Sequence, residues 1–596
     1  MNPTSGLSAL AFPRGGVWAC VLGFSVGCGV ERAASPVSPA DRAGSALPEA
    51  LMLVEADCPA PFIRYADADG DGVGDPDVAV EVCEEVPGFV ADSGDCDDLR
   101  TDISPLAEEA CGDGLDNNCD GLDHVCPAPD ITTDAVGLLR EAKGDGFGFT
   151  AIGGLENDTE TSLMGVFGAY EAGSREGLTD DAGALLQVSA LETLDGGDRV
   201  DFELVQTGSI TGLPNTALGQ SLARAQTNRN GHWERLYVGV GGSFEVPTGT
   251  ASCGIVWWDF GLPEAGQLIE DSDGWIPCDL TADPTATTNG IEAVAVGFWP
   301  GEGDVVAAPR TANDIIWVLP DPESWLGDPM PTVGKRLNDL DEESLGEQVA
   351  WADLDGDGFD DLIAAAPTRG TVAHDAGGFD VFSGDELDSW DPGAEFDARA
   401  FGFGVAFSEA NQNVGVTIAT GDLTGDGRAE VILGSFEEDA SIPASVYIAD
   451  IGSFEDFGGR RLAVADLPAS AGVTRITSDQ LADLYGYKVA YIPEGDTSSA
   501  GLAIAAPGWD SAGDTAILDG RVYLFAASPD WLDSAAHDAP TAATTTIDTD
   551  LPGEALGTAL ADAGDVDGDG ANDLWMTSFG ISTTYARAVL LQNTGL

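Results

Sequence analysis

Basic residues are scarce in this chain of 596: 24 Lys and Arg stand against 103 Asp and Glu, a formal net charge of −79. Such an imbalance repels phosphate backbones and anionic lipid, which excludes nucleic acid as a partner and the membrane surface as a docking face. Histidine is limited to His124, His232, His374 and His537, at no spacing that holds zinc, and neither a Gly-x-Ser-x-Gly elbow nor a phosphate loop occurs. No catalytic constellation emerges, and among so many acids a carboxylate pair for glycoside hydrolysis carries no information. The apolar run Val17 to Gly27 has eleven residues, short of the roughly 20 that cross a bilayer.

What is present argues for a folded protein rather than a solvated acidic tail. Hydrophobic residues make up 43%, mean hydropathy is +0.00 and Gly numbers 78, so the expectation is a mostly β chain with many tight turns. Length alone suggests about four domains, a count that internal repeats overrule. Two destinations for the acids compete: metal-binding loops, and a surface suited to a salty medium.

Arg14 followed by the short apolar run reads as a secretion signal over residues 1–28. Its end, Ser25-Val26-Gly27-Cys28, resembles a bacterial lipobox, which implies lipidation of Cys28 after cleavage. The alternative is ordinary cleavage after Ala33 or Ala34. Residues 29–57, rich in Ala, Pro and Ser from Ala33 to Pro48, are expected to form a flexible linker. Beyond Cys20 and Cys28 eight cysteines remain, an even number suited to disulfides in an exported chain. Six fall within residues 58–126, where 15 pairings are open, and Cys253 and Cys278 are expected to pair.

The loop Asp353-Leu354-Asp355-Gly356-Asp357-Gly358-Phe359-Asp360-Asp361 carries acids at positions 1, 3, 5 and 9. With the carbonyl of Phe359 at position 7, these oxygens form a cage for a hard cation. A second copy offers Asp422, Thr424, Asp426, the carbonyl of Arg428 and Glu430; a third offers Asp565, Asp567, Asp569, the carbonyl of Ala571 and Asp573. Residues 58–126 contain a further loop of the same spacing, with Asp67, Asp69, Asp71, the carbonyl of Val73 and Asp75. Asp116, Asn118 and Asp120 match the first half of another, while Asp92, Asp95, Asp97 and Asp98 form a looser acidic cluster. With little apolar sequence, this module depends on disulfides and metal for its stability.

The Cys and Asp pattern of residues 58–126 resembles a metal-binding module of myxobacterial surface proteins, and also repeats of a copper-binding surface protein. Copper prefers imidazole, thiolate or thioether, so the oxygen donors favour calcium, with copper as the alternative.

The three downstream loops share a frame: an aromatic or Leu, then Gly, a short apolar segment, the loop and a strand. That frame continues without the loop through Gly148, Gly219, Gly290, Gly346, Gly404, Gly486 and Gly557, at separations of 71, 71, 56, 58, 82 and 71 residues. Seven units with about four short β runs each fit propeller blades. In the second unit Gln226, Asn228, Asn230, Gly231 and Glu234 keep the loop's shape as neutral turn chemistry; the third and sixth lack the acidic spacing.

Phe147-Gly148, Phe403-Gly404, Ala308-Pro309, Ala366-Pro367 and Ala506-Pro507 resemble FG-GAP repeats, the family of the seven-bladed head of integrin α chains. The resemblance implies an all-β, seven-bladed β-propeller over residues 130–596. It also implies calcium in the three loops on one face, partners on the opposite face, and a segment from Ala135 to Glu141 completing the last blade. The expected protein is an exported calcium-binding, cell-surface lipoprotein, or else a secreted or periplasmic one. It would act in recognition or adhesion, without catalysis, toward a surface protein or glycan, touching membrane only through its lipid anchor. A copper-scavenging protein and a carbohydrate-active enzyme are the rivals; Trp257, Trp258 and Trp299 serve either sugar stacking or blade packing.

Overall fold

The apolar runs that follow the acidic loops form strands Asp361–Ala365, Glu430–Gly434 and Asp573–Ser578, each buried along its whole length. Continuous burial, rather than alternation, is what a strand covered on both faces requires. These and the other strands belong to a computed structural model that describes most of residues 62–592. Residues 1–61 and 593–596 fall outside the description, as do stretches such as 106–118, 120–134, 170–182, 226–234 and 282–289, and shorter ones. The described residues divide into two compact units, the smaller within 18–127 and the larger within 128–596.

In the smaller unit, Phe62–Ala66 pairs antiparallel with Val73–Val82. Phe89–Val90 and Asp92–Ser93 flank them in a four-stranded sheet.

Besides a three-stranded sheet of Phe244–Val246, Gly249–Ala251 and Leu280–Thr281, the described residues of the larger unit form seven sheets of four or five strands. In each, successive strands pair antiparallel, starting from Phe147–Glu156, Leu222–Ala225, Ala295–Trp299, Val349–Ala352, Thr417–Gly421, Val489–Ile492 and Leu560–Gly564. These first strands touch one another in chain order, and that of the seventh sheet touches that of the first. The seventh sheet takes its fourth strand from the beginning of the unit: Ala135–Arg140 pairs with Ala586–Leu591, Val136 opposite Leu590.

Between each pair of neighbouring sheets lies an apolar cluster. Leu362 and Ala364 pack with Val305 and Ile316 of the third sheet, whereas Ile363 packs with Val431 and Leu433 of the fifth. The period of two along a strand thus serves two cores at once. The cluster of Val136, Leu138, Phe147, Phe167 and Trp575 joins seventh and first sheets in the same way. At about 1.5–3 kcal/mol for each fully buried aliphatic or aromatic side chain, these clusters dominate the stability of the unit.

In five sheets a two- or three-residue strand from the next repeat lies parallel along the outer edge. Examples are Arg199–Asp201 beside Ala135–Arg140 and Arg461–Ala463 beside Phe403–Ala406. Such strands occupy edges that would otherwise offer unpaired backbone groups to other chains.

The turn entering each of the last four first strands is fixed by one glycine N–H. Gly346 donates to Ala365 O at 2.8 Å, Gly415 to Gly434 O at 2.9 Å, Gly486 to Ala505 O at 2.9 Å and Gly557 to Thr577 O at 2.9 Å. Gly415, not the expected Gly404, is therefore the fifth landmark, and the separations become 69 and 71 residues. Gly404 lies inside the outer strand Phe403–Ala406 of the fourth sheet. It is glycine for another reason: a Cβ there would meet Asp380 Oδ1 at 2.3 Å and Arg461 Cγ at 2.5 Å.

Candidate metal centres

The loop 353–361 joins the first and second strands of the fourth sheet and is folded by its own carboxylates. Asp353 accepts from the N–H of Gly356 at 2.7 Å and of Gly358 at 3.0 Å. Asp355 accepts from Asp357 N–H at 3.1 Å, and Asp357 from Phe359 N–H at 2.7 Å. Both glycines hold positive φ, +84° and +93°, the left-handed conformation that a side chain resists. The result places oxygens of Asp353, Asp355 and Asp357 within 4.8 Å of one another.

The loop 565–573 in the seventh sheet repeats this geometry. Asp565 accepts from Gly568 at 2.8 Å and Gly570 at 3.0 Å, Asp567 from Asp569 at 3.1 Å, and Asp569 from Ala571 at 2.7 Å. Asp565, Asp567 and Asp569 converge as their counterparts do. Burial first, and then the neighbouring carboxylates, raise the carboxyls of Asp357 and Asp567 above the usual range. That repulsion is what a bound cation relieves.

The ninth-position acids stand apart. Asp361 and Asp573 are 1% and 0% exposed, and each accepts from the second-position N–H, of Leu354 at 3.0 Å and of Val566 at 2.8 Å. Asp361 also accepts from Gly384 N–H at 2.9 Å, and burial pushes its carboxyl up to about 8. Neither belongs to the converging set of its loop; both clamp the loop's entrance.

The middle loop differs because Glu430 is longer by one carbon. It accepts from Leu423 N–H at 2.7 Å and from the Thr424 hydroxyl at 2.8 Å, and still converges with Asp422 and Asp426. Burial pushes it up to about 7. Arg428 donates its backbone N–H to Asp426 at 2.9 Å and its guanidinium to the same carboxylate at 2.6 Å. A cation here competes with a resident charge, so this loop fits a metal less well than the other two, whose all-oxygen donors suit calcium.

Sequence spacing gave no role to position eight, yet in all three loops it ties the loop to the preceding sheet. Asp360 accepts from Phe298 N–H at 2.7 Å, and its carbonyl accepts from Trp299 Nε1 at 3.0 Å. Ala429 N–H donates to Asp353 O at 3.3 Å, and Asn572 Nδ2 to Pro493 O at 3.0 Å.

In the smaller unit Asp67 accepts from Gly70 N–H at 2.7 Å and converges with Asp69 and Asp98. Asp98 holds this loop by accepting from Ala68 N–H at 2.9 Å. Burial, then Asp75, Asp69 and Asp67, raise its carboxyl. Asp98 was visible only as part of an acidic cluster, because 31 positions separate it from Asp67. Val73 is buried at the start of its strand, and Asp75 pairs with Ala66. Asp71, Asp116, Asn118, Asp120 and Cys28 lie outside the described residues, as does the loop 226–234.

Cys253 is bonded to Cys278, and Cys96 to Cys119. Trp257, Trp258 and Trp299 are at most 2% exposed; they pack between sheets and offer no stacking platform.

Residues 345–382 match the family described as FG-GAP repeat, a span covering the Gly346 turn, the loop 353–361 and the strand Gly378–Phe382. Residues 95–124 match the family described as "Putative metal-binding motif", which contains both Cys96 and Cys119 but not Asp67. The chain is similar to integrin alpha-V of Gallus gallus, 28% identical over 272 residues, 43% of this chain. It spans 22% of that relative's length. The chain is all-β, matches one FG-GAP repeat, is similar over part of its length to an integrin α, and matches a putative metal-binding motif earlier in its sequence.

Proposed function

We propose that the seven sheets are the blades of one calcium-stabilised β-propeller, which acts in recognition or adhesion at the cell surface. The observation that carries this is the cyclic packing: every first strand touches the next, and the seventh sheet is completed by Ala135–Arg140. Calcium in the loops of the fourth and seventh sheets, and more weakly in the fifth, neutralises converging carboxylates at the ends of the first strands. The smaller unit holds a further cation through Asp67, Asp69 and Asp98. Its disulfide fits an oxidising compartment, and export with lipidation at Cys28 places the propeller outside the cell.

Thermal unfolding and protease resistance of the full chain, in calcium and in excess EGTA, test the metal reading; identical curves overturn it. A screen against glycans and surface proteins, with and without calcium, tests recognition. Failure of Cys28→Ala to release the protein from membranes overturns the anchor.

Copper is the second reading for residues 95–124, since the matching family is labelled copper-binding. The described donors are carboxylates, which suit calcium better. Competition dialysis decides, copper retention in excess calcium favouring the second reading.

A further inference from the structure

The first strands of the larger unit begin around a cavity of about 150 Å³. Thr150, Ser221, Val294, Gln348, Lys488 and Ala559 bring six of the seven sheets to its wall. The acidic loops follow the other ends of these strands, after Ala352, Gly421 and Gly564. Cavity and loops therefore occupy opposite ends of the strands.

Although the chain carries 103 acids, none lines this cavity. Lys488 is the single charged residue in the wall. Its ammonium lies 5.6 Å from the ring centroid of Phe149, on the first sheet, and among the described residues no carboxylate or hydrogen-bond acceptor pairs with it. Burial lowers its pKa to about 8, the signature of a cation held without a counter-charge. The Thr150 hydroxyl is committed to Gly219 O at 2.6 Å. Gln220, Ser221 and Gln348 add uncharged polar groups, while Phe149, Leu222 and Leu560 supply apolar wall. A lone ammonium in an acid-free, partly apolar recess attracts an anion with an apolar body. A cavity of about 150 Å³ accommodates a benzene-sized molecule.

We propose that this cavity binds a small organic carboxylate, its carboxyl group against Lys488 Nζ and its apolar body, no larger than a benzene ring, against Phe149, Leu222 and Leu560. Isothermal titration of the calcium-loaded full chain with butanoate and benzoate is expected to show binding. Butanamide should bind at least tenfold more weakly, Lys488→Met should abolish the preference, and Lys488→Arg should retain it. Equal binding of acid and amide, carboxylate binding that survives Lys488→Met, or no binding of either acid overturns the proposal. Reductive methylation of the wild type supplies a readout without a variant. Butanoate should protect Lys488 and butanamide should not; equal labelling with and without butanoate overturns it as well. Because neither readout uses the acidic loops, failure here leaves the calcium reading standing.

Discussion

The hydroxyl of Thr577 donates to the carbonyl of Gly148 at 2.6 Å, across 429 positions of sequence, and accepts from Ala559 N–H at 2.9 Å. One buried side chain thereby links the seventh sheet to the entry of the first. Thr577→Val keeps the shape and removes the hydroxyl, orphaning a buried carbonyl and a buried N–H. The expected loss is about 2–3 kcal/mol in urea unfolding, with Thr577→Ser largely neutral; equal stability of valine and wild type contradicts this.

The acidic loops should respond unequally to calcium. At tenfold excess over its dissociation constant, each intact site adds roughly 1.4 kcal/mol. Asp355→Ala and Asp567→Ala should each remove about that much of the calcium-dependent shift in melting temperature. Arg428→Gln should enlarge the shift by freeing Asp426, and an unchanged shift would place the cation elsewhere.

Asp380 is 1% exposed and accepts from Arg369 at 2.9 Å and Arg461 at 2.6 Å. Arg369 is 0% exposed. Removing one partner of a buried pair costs about 3–5 kcal/mol, because the other charge stays uncompensated. Asp380→Asn should therefore destabilise more than Arg461→Met, whose charge is partly open to solvent. Chemical denaturation of the two variants settles the order.

Lys488 should leave a mark on the pH dependence of stability. Its folded pKa of about 8 lies below the ordinary value of about 10.4. Between those values the unfolded chain keeps a proton that the folded chain has released, so this residue's contribution makes stability rise with pH across that window. Lys488→Met lacks the contribution. The variant's stability relative to wild type should be highest near pH 7 and fall toward pH 10; a gap moving the other way rules out the depressed pKa.

The repeat frame was legible because a turn glycine and an acid-rich loop each impose a local rule that sequence spacing records. Gly404 misled because glycine also answers to close packing: Asp380 and Arg461, its partners on the two flanking strands of the fourth sheet, leave no room for a Cβ, a demand that arises only once those strands pair. The closing strand from Ala135 was readable by resemblance, its register against Leu591 was not. Position eight escaped notice because Asp360, Ala429 and Asn572 use a carboxylate, a backbone N–H and an amide for the same tie. Asp98 was hidden by its distance along the chain. The ninth acids were legible from spacing; that Asp361 and Asp573 accept the second-position N–H was not, because the bond forms only once the loop has turned.

The pairing of Ala135–Arg140 with Ala586–Leu591 also sets a timetable. During synthesis one edge of Ala135–Arg140 stays open, with Arg199–Asp201 alone beside its other edge, until residues 586–591 have emerged. The seventh sheet thus gains its last strand pairing only after residues 586–591 have been made, a long-range contact whose loop must close before it stabilises anything. Truncation at residue 585 would remove Ala586–Leu591 and leave open the facing edges of both its neighbours, Asp573–Ser578 and Ala135–Arg140, where other strands can pair.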